Sequence, residues 1–380
     1  MAISRFSFPT TIHFGAGARS LAAPALAAQG RKRPLVVTDK GIAALPMLGE
    51  LTDLLKKEKL EPAVFSGVWG NPVRSQLAAG VEAFRAHRAD SIVGFGGGAA
   101  LDVAKAIALM ATHPGDIFDY EDDKPGALPF DREIPYWIAL PTTAGTGSEV
   151  GRSSVIADDA THVKKIIFHP ILLAKQVFAD PELTFGMPPK ITAATGMDAL
   201  THCVESYLAK GYHPICDGVA LEGLRLAARS LATAVNEPKN LTARGEMLMA
   251  SMMGAIAFQK GLGLTHSCAH ALGTAADLHH GLANGLMIDH ALAFNVGAVP
   301  ERFTVMAQTV GLKDTKPEAF LAWLTQLKAS VGIGAKLGSE GVGKDKLARL
   351  SQLAFEDSCH SNNPRAVTQG DFTAIFERAF

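Results

Sequence analysis

Residues 90–98, DSIVGFGGG, form a short apolar run ending in glycines, and ALDVAKAIALMA follows almost at once at 100–111. The first stretch has the length and β-branched content of a strand, the second the period of a helix. The glycines between them leave room only for a tight strand-to-helix turn. The same order recurs on either side. PLVVTDK at 34–40 is another β-branched run closing in polar residues, QLAAGVEAFRAHRA at 76–89 is helical in pattern, and YWIALPTTAGTGSE at 136–149 begins as a further strand. Strands of this kind alternating with helices predict a parallel sheet covered on both faces.

After DPELTFGMPP at 180–189 the pattern changes. KITAATGMDALTHCVESYLAK, DGVALEGLRLAARSLATAV, RGEMLMASMMGAIAFQ and EAFLAWLTQLKASV are long helical patterns, and β-branched runs become rare. A chain of 380 residues is also long for a single core. The expectation is α/β plus all-α: a Rossmann-like parallel-sheet domain over 1–185, then an all-helical domain over 186–380, divided at the proline-bearing stretch.

Composition excludes several classes. Hydrophobic residues make up 48% and charged residues 19%, which is globular rather than disordered. Net charge is −1 with no long run of one sign, so there is no electrostatic footprint for nucleic acid. No basic amphipathic segment suggests a membrane surface, and no apolar stretch reaches the roughly 18 residues of a spanning helix. Cys203, Cys216, Cys268 and Cys359 form no CxxC pair, which makes a reduced, cytoplasmic setting the expectation. LAAPALAAQG has the small residues of a signal-peptide cleavage region. However, no continuous apolar core precedes it, and FSFPTTIHFGAGA before it reads as strand and turn.

The glycine turn points to a phosphate ligand. In GFGGGAALDVAKAIA (94–108), Gly96, Gly97 and Gly98 let backbone approach a ligand, and the following helix N-terminus suits an anionic diphosphate. Gly94, Gly96 and Ala99 satisfy the G-x-G-x-x-A dinucleotide spacing, which a tight turn that binds nothing also satisfies. The acidic companion of such a loop accepts from the ribose hydroxyls. Asp119 stands in the polar loop GDIFDYEDD, whereas Asp39 closes a strand and is the better candidate. There it would accept from the adenosine 2′-hydroxyl and repel a 2′-phosphate. PTTAGTGSEV (141–150) is a second loop after a strand, and its Thr142, Thr143, Thr146 and Ser148 could line a phosphate or the nicotinamide ribose.

The helical half raises a different question. GMDALTHCVESY places Asp198 and His202 four apart, on one helix face among Met197, Leu200 and Val204. KGLGLTHSCAHALGTAADLHHGLANG repeats the spacing with His266 and His270 and continues to His280. A lone buried histidine is usually a hydrogen-bonded core residue. Two such pairs in apolar helices are harder to bury without a partner, at a cost on the order of several kcal/mol. One carboxylate with several imidazoles and no thiolate at ligand spacing suits Fe²⁺, Zn²⁺ or Mn²⁺.

Together, GGGAALDVAKA, LPTTAGTGSEV, GMDALTHCVESY, GLGLTHSCAHALG and HHGLANG resemble the iron-containing (group III) alcohol dehydrogenases, as do the opening FPTTIHFGAGA and the tail CHSNNPRAVTQGDF. The resemblance runs nearly end to end. It implies an α/β dinucleotide domain, an all-helical domain, and NAD(H)-linked interconversion of alcohols and aldehydes or ketones. It carries metal ligation to Asp198, His202, His266 and His280, with Fe²⁺ as the implied ion and Zn²⁺ as the alternative. His279 is the alternative to His280, which is preferred because Gly281 follows it. His270 matches the extra imidazole beside the nicotinamide. Asp39, Asn71, Gly97, Gly98, Asp102, Thr142, Thr143, Val155 and Lys164 fall at cofactor-contacting positions, and Asp39 favours NAD over NADP. Ala99 stands where the family loop usually has serine, Ala271 where a proline is common, and His279 where a proline often precedes the last ligand. The resemblance also implies a homodimer.

On this reading the cation acts as a Lewis acid on the substrate oxygen, and hydride passes from the carbinol carbon to the nicotinamide. His270 is the candidate proton relay and His360 a second one. Three rivals stand beside it. A maleylacetate-reductase-like enzyme would lack the full ligand set. A dehydroquinate-synthase-like lyase would need many Lys and Arg near the histidines. A structural metal- or nucleotide-binding module would bind both groups without turnover.

Overall fold

In the computed structural model of the protein, which describes residues 10–122, 124–334 and 336–380, the chain separates into two compact units. One gathers 10–143 with Ser148–Phe185, the other Ala144–Gly147 with Gly186–Phe380.

The first unit is built on strands β1 (Thr11–Phe14), β2 (Pro34–Asp39), β3 (Ala63–Val68), β4 (Ser91–Gly96), β5 (Tyr136–Pro141), β6 (Ser153–Ala157), β7 (Lys164–Phe168) and β8 (Gln176–Ala179). Its helices are α1 (Ala22–Ala28), α2 (Lys40–Ala43), α3 (Pro46–Lys57), α4 (Arg74–His87) and α5 (Gly98–Met110). Six strands form one sheet in the order β1-β8-β5-β4-β2-β3, and every pairing in it is parallel. β6 and β7 pair antiparallel as a separate ribbon. All six residues of β4 are buried, as a central strand covered on both faces requires. Val36, Phe95, Ile138, Leu140 and Phe178 meet in one core beneath α1 and α3. The strand and turn expected at the start are β1 with Gly15 and Gly17 at positive φ; the part of that stretch at 6–9 lies outside the described residues.

The strand order decides where a ligand can bind. From β2 the chain steps outward to β3, then returns to the other side of β2 for β4 and continues to β5. That reversal opens a crevice at the carboxyl ends of β2 and β4, where open α/β sheets bind their ligands. Asp39 ends β2 and the glycine turn follows β4.

The second unit has no strand among its described residues. Its helices are α6 (Pro189–Leu208), α7 (Pro214–Asn236), α8 (Leu241–Ala257), α9 (Leu264–Ala276), α10 (His280–Asn295), α11 (Pro300–Thr309), α12 (Pro317–Ser330), α13 (Leu347–Glu356) and α14 (Gln369–Ala379). Every residue of α6 from Thr192 to Leu208 is buried, so this helix is the axis of the unit. Pro189 starts it at the position where a missing N–H costs nothing. α7, α8 and α10 pack on α6. α10 comes in close because Gly281 has no side chain: a Cβ there would lie 2.4 Å from the Ala194 carbonyl oxygen. No single helix among the described residues is long and apolar enough to cross a membrane.

Candidate metal centre and cofactor loop

In the strand-rich unit, Gly96 has φ +157°, and a Cβ on it would stand 2.7 Å from the Ala100 Cβ and 3.1 Å from Asp39 Oδ2. Only glycine makes this turn, and the turn holds the β2 carboxylate against it. Gly97 precedes α5 without a side-chain cap, so the first amides of α5 keep their donors for an anion. Thr143 lies across from Gly97, 3.1 Å from where a Cβ would be, and the Thr142 N–H donates to the Gly96 carbonyl at 3.0 Å. Asp39 Oδ1 also accepts from the Ile42 N–H at 2.9 Å, which fixes the carboxylate at the start of α2. The donors of a helix start, a bare glycine backbone and a fixed carboxylate fit a dinucleotide at the β2–β4 crevice.

Asp102 ties this region together. Its Oδ1 accepts from Ser148 Oγ at 2.6 Å, its Oδ2 from the Val155 N–H at 3.1 Å, and its carbonyl from Ser154 Oγ at 2.8 Å. Ser148, read from sequence as a hydroxyl toward the ligand, thus serves the protein's own network, where it also accepts from Lys105 Nζ at 2.7 Å. Lys164 starts β7 opposite Ala157, and the loop carrying Asn71 is joined to β6 where the Ala157 N–H meets the Pro72 carbonyl at 2.8 Å. Glu149 is buried beside this network with Oε1 unpartnered. Burial pushes its carboxyl up to about 7, and its own backbone N–H and Lys105 offset that only in part.

In the helical unit, α6, α9 and α10 bring Asp198, His202, His266 and His280 together, with one ligating atom from each inside 4.8 Å of the others. Asp198 is 2% exposed and His266 1%. Asp198 Oδ1 stands 3.5 Å from His280 Nε2, 3.9 Å from His202 Nε2 and 4.0 Å from His266 Nε2. These separations are long for hydrogen bonds. They suit atoms that each lie about 2.0–2.2 Å from a shared ion, which places them roughly 3–4 Å apart. Burial, with His266 beside it, pushes His202 down to about 4, so its ring is neutral at neutral pH and keeps a lone pair to give. Three imidazoles and a buried carboxylate converging without bonding one another fit a divalent cation. His279 is not in this group; it caps α10.

Two residues that the sequence reading passed over hold the array. Glu205, one turn beyond His202, accepts from the N–H groups of Gly263 at 3.1 Å, Thr265 at 2.6 Å and His266 at 3.2 Å, and meets His266 Nδ1 at 2.7 Å. Burial alone would raise its pKa, but the His266 hydrogen bond and the Thr265 N–H bring it below the ordinary value. An ionised carboxylate can only accept, so His266 carries its proton on Nδ1 and turns the Nε2 lone pair to the cluster. Asn284, four residues beyond His280, is the other. Same-face spacing was the available signal for both.

His270 stands next to the array, its ring stacked on His280 at 5.3 Å between centroids. It belongs to a second grouping, with Asp357 and Cys359. His270 Nδ1 meets Asp357 Oδ2 at 2.8 Å, while Asp357 Oδ1 accepts from Ser267 Oγ at 2.7 Å and the Cys359 N–H at 2.9 Å. Burial would raise the Asp357 carboxyl, but His270, Ser267 and the Cys359 N–H outweigh it and hold the group well below the carboxylate range. His360 meets the Phe355 carbonyl through Nε2 at 2.9 Å and packs between Phe355 and Phe372.

Residues 9–181 match the family described as iron-containing alcohol dehydrogenase, and residues 192–380 match the C-terminal part of the Fe-containing alcohol dehydrogenase family. The 1,3-propanediol dehydrogenase of Klebsiella pneumoniae is 36% identical over 381 residues, covering 98% of this chain and 97% of that protein. The solved structure of a 1,3-propanediol oxidoreductase superposes with a TM-score of 0.95 at 35% identity, covering 99% of this chain and 100% of that one. A sulfoacetaldehyde reductase from Bifidobacterium kashiwanohense, solved in complex with NAD⁺, superposes with a TM-score of 0.89 at 30% identity, covering 100% of this chain and 99% of that one.

Proposed function

The chain belongs to the iron-containing alcohol dehydrogenase family, and on that premise we propose which of its residues carry the reaction. The protein is an NAD-linked oxidoreductase that interconverts alcohols and aldehydes. Asp198, His202, His266 and His280 hold its divalent cation. The observation that supports this is four donor atoms within 4.8 Å of one another in a buried setting, with the carboxylate hydrogen-bonded to none of the three imidazoles. A cation in that set would supply Lewis acidity toward the substrate oxygen, and NAD would supply the hydride acceptor. The nitrogen and oxygen donors without sulfur accept Fe²⁺, which we take as the ion, and also Zn²⁺.

The chain's own residues do the rest. Glu205 fixes the proton of His266 on Nδ1, and burial keeps His202 neutral, so both rings face the cluster through lone pairs. Asp357 fixes the proton of His270 on Nδ1 in the same way and leaves its Nε2 to take up or release the substrate proton. In the strand-rich unit Gly97, Gly98 and the start of α5 bind the diphosphate, and Thr142, Thr143, Asn71, Val155 and Lys164 line the cofactor. Asp102 holds the β6 ribbon in place beside them. Asp39 would accept from the adenosine 2′-hydroxyl and repel a 2′-phosphate. Its four cysteines, none disulfide-bonded, are consistent with the cytoplasm, and the assembly proposed is a homodimer.

The test is a panel of short alcohols, aldehydes, diols and hydroxy acids with NAD or NADH. It is run on metal-stripped protein and on protein reloaded with Fe²⁺ or Zn²⁺, with elemental analysis of the protein as purified. Turnover that returns only on reloading, with NAD preferred to NADP, is the expected result. Equal turnover in stripped protein would overturn the assignment.

A further inference from the structure

Asn284 lies on α10 one turn beyond His280 and is fully buried, with 0% exposure. Its Nδ2 is 2.8 Å from Asp198 Oδ1 and 3.3 Å from both His266 Nε2 and His280 Nε2. Among the described residues nothing else donates a hydrogen bond to that carboxylate. Which amide atom faces in follows from the partner: beside a carboxylate, only the N–H side is attractive. The other end, Oδ1, is buried without a hydrogen-bond partner. An unsatisfied buried carbonyl is a burden that an apolar side chain of the same size would avoid. The residue is therefore explained by its donor and not by its bulk.

A carboxylate turns broadly about its last torsion, so burial alone does not aim it. Asp198 is the only anion of the array and must present one oxygen to a point shared with three imidazoles. Glu205 performs the matching task for His266 from the outside.

We propose that Asn284 is a positioning residue of the metal centre: by donating to Asp198 Oδ1 it holds the carboxylate toward the three imidazoles, and so sets how tightly the cation is retained. This rests on the four-residue ligand assignment above. It adds a residue that controls the ion through another side chain.

The test uses the full chain with Asn284→Leu, Asn284→Asp and Asn284→Ser. Affinity for Co²⁺ and Zn²⁺ is read by competition with a chromophoric chelator, and the visible absorption of the Co²⁺-loaded protein reads ligand geometry without turnover. Removing such a partner typically weakens metal binding about 10–100-fold. We expect that loss in Asn284→Leu, with an altered Co²⁺ spectrum and the circular dichroism of the metal-free protein unchanged. Asn284→Asp should lose at least as much, because a carboxylate cannot donate and sets a second charge against Asp198. Asn284→Ser, which can fold where Leu strains the site, should fall between Leu and wild type. Wild-type affinity and spectrum in Asn284→Leu would reduce Asn284 to packing. Retained or tighter binding in Asn284→Asp would make its inward atom an oxygen ligand. Either result overturns the proposal. His266→Ala run alongside separates the two claims: if it keeps the ion, the ligand assignment is what fails.

Discussion

Asp198 and Asp357 both face histidines in the helical unit, yet their surroundings differ. Asp357 is bonded to His270 at 2.8 Å and takes further hydrogen bonds from Ser267 Oγ and the Cys359 N–H. Asp198 stands 3.5–4.0 Å from three imidazoles and, among the described residues, accepts only from Asn284. Asp357 has its donors from the protein, and its low pKa follows from them. Asp198 and the three nitrogens around it converge on a common point, and no hydrogen bond joins the carboxylate to any of the three rings. A histidine–carboxylate grouping at hydrogen-bond distance is complete as it stands. One spread just beyond that distance has room for a cation. The second grouping also contains a thiol, and burial raises that thiol far above its ordinary range, so it is not a ready ligand.

The comparison breaks most visibly at a ligand. His266→Ala should release the ion, and with it several kcal/mol of transition-state stabilisation, a fall on the order of 10³-fold in kcat/KM. Metal content by elemental analysis and turnover should fall together. A variant that still carries one ion per chain and turns over normally would remove the distinction between the two clusters.

A third carboxylate extends the contrast. Glu149, in the strand-rich unit, is as buried as Asp198 but has neither Asp357's donors nor an imidazole array, and its pKa stands at about 7 against an ordinary 4.5. The folded protein thus keeps this proton up to about pH 7, while the unfolded chain releases it near 4.5. Between those values the unfolded state binds fewer protons, so stability declines as pH rises, and the decline stops above the folded value. The difference between about 7 and 4.5 corresponds to roughly 3 kcal/mol. Glu149→Gln should be more stable than wild type by about that amount at pH 8 and nearly equal at pH 4.5. Urea unfolding at the two values measures the difference. Parallel stability curves for the two proteins would show that Glu149 ionises freely.

How much of this could be read beforehand follows from which contacts are local. Asp198 and His202 were legible because helix periodicity puts i and i+4 on one face whatever the fold. Glu205 and Asn284 share those faces and were missed, the first because ESY looks like a wet helix end, the second because a neutral amide carries no charge signal. The partnership of His270 with Asp357 spans 87 positions and has no local trace. In the sheet, PLVVTD and SIVGFG announced themselves as apolar runs. β8 has four residues, β3 is an edge strand carrying Gly67, and the antiparallel β6–β7 ribbon interrupts an otherwise parallel pattern. The reversal of strand order that makes Asp39 and the glycine turn neighbours is a matter of long-range pairing, which periodicity does not encode. The same limit applies to Ser148, whose small hydroxyl suggested a ligand but meets Asp102 instead.

The smallest expected effect is the most discriminating. Asp357→Asn leaves a side chain of the same shape that can still accept one hydrogen bond, but it no longer forces the His270 proton onto Nδ1. Losing a general acid–base group outright typically costs about 10²–10⁴-fold, so loosening one should cost less, roughly tenfold in kcat. The ion should stay, because Asp357 bonds to none of its four proposed ligands. Conserved metal content with a reduced kcat would mark the closed pair as a proton-handling device beside the metal array. Loss of the ion in this variant would mean that the stacked rings of His270 and His280 bind the two clusters into one unit. The hydrogen-bond distances that separate the clusters in the structure would then not separate them in function.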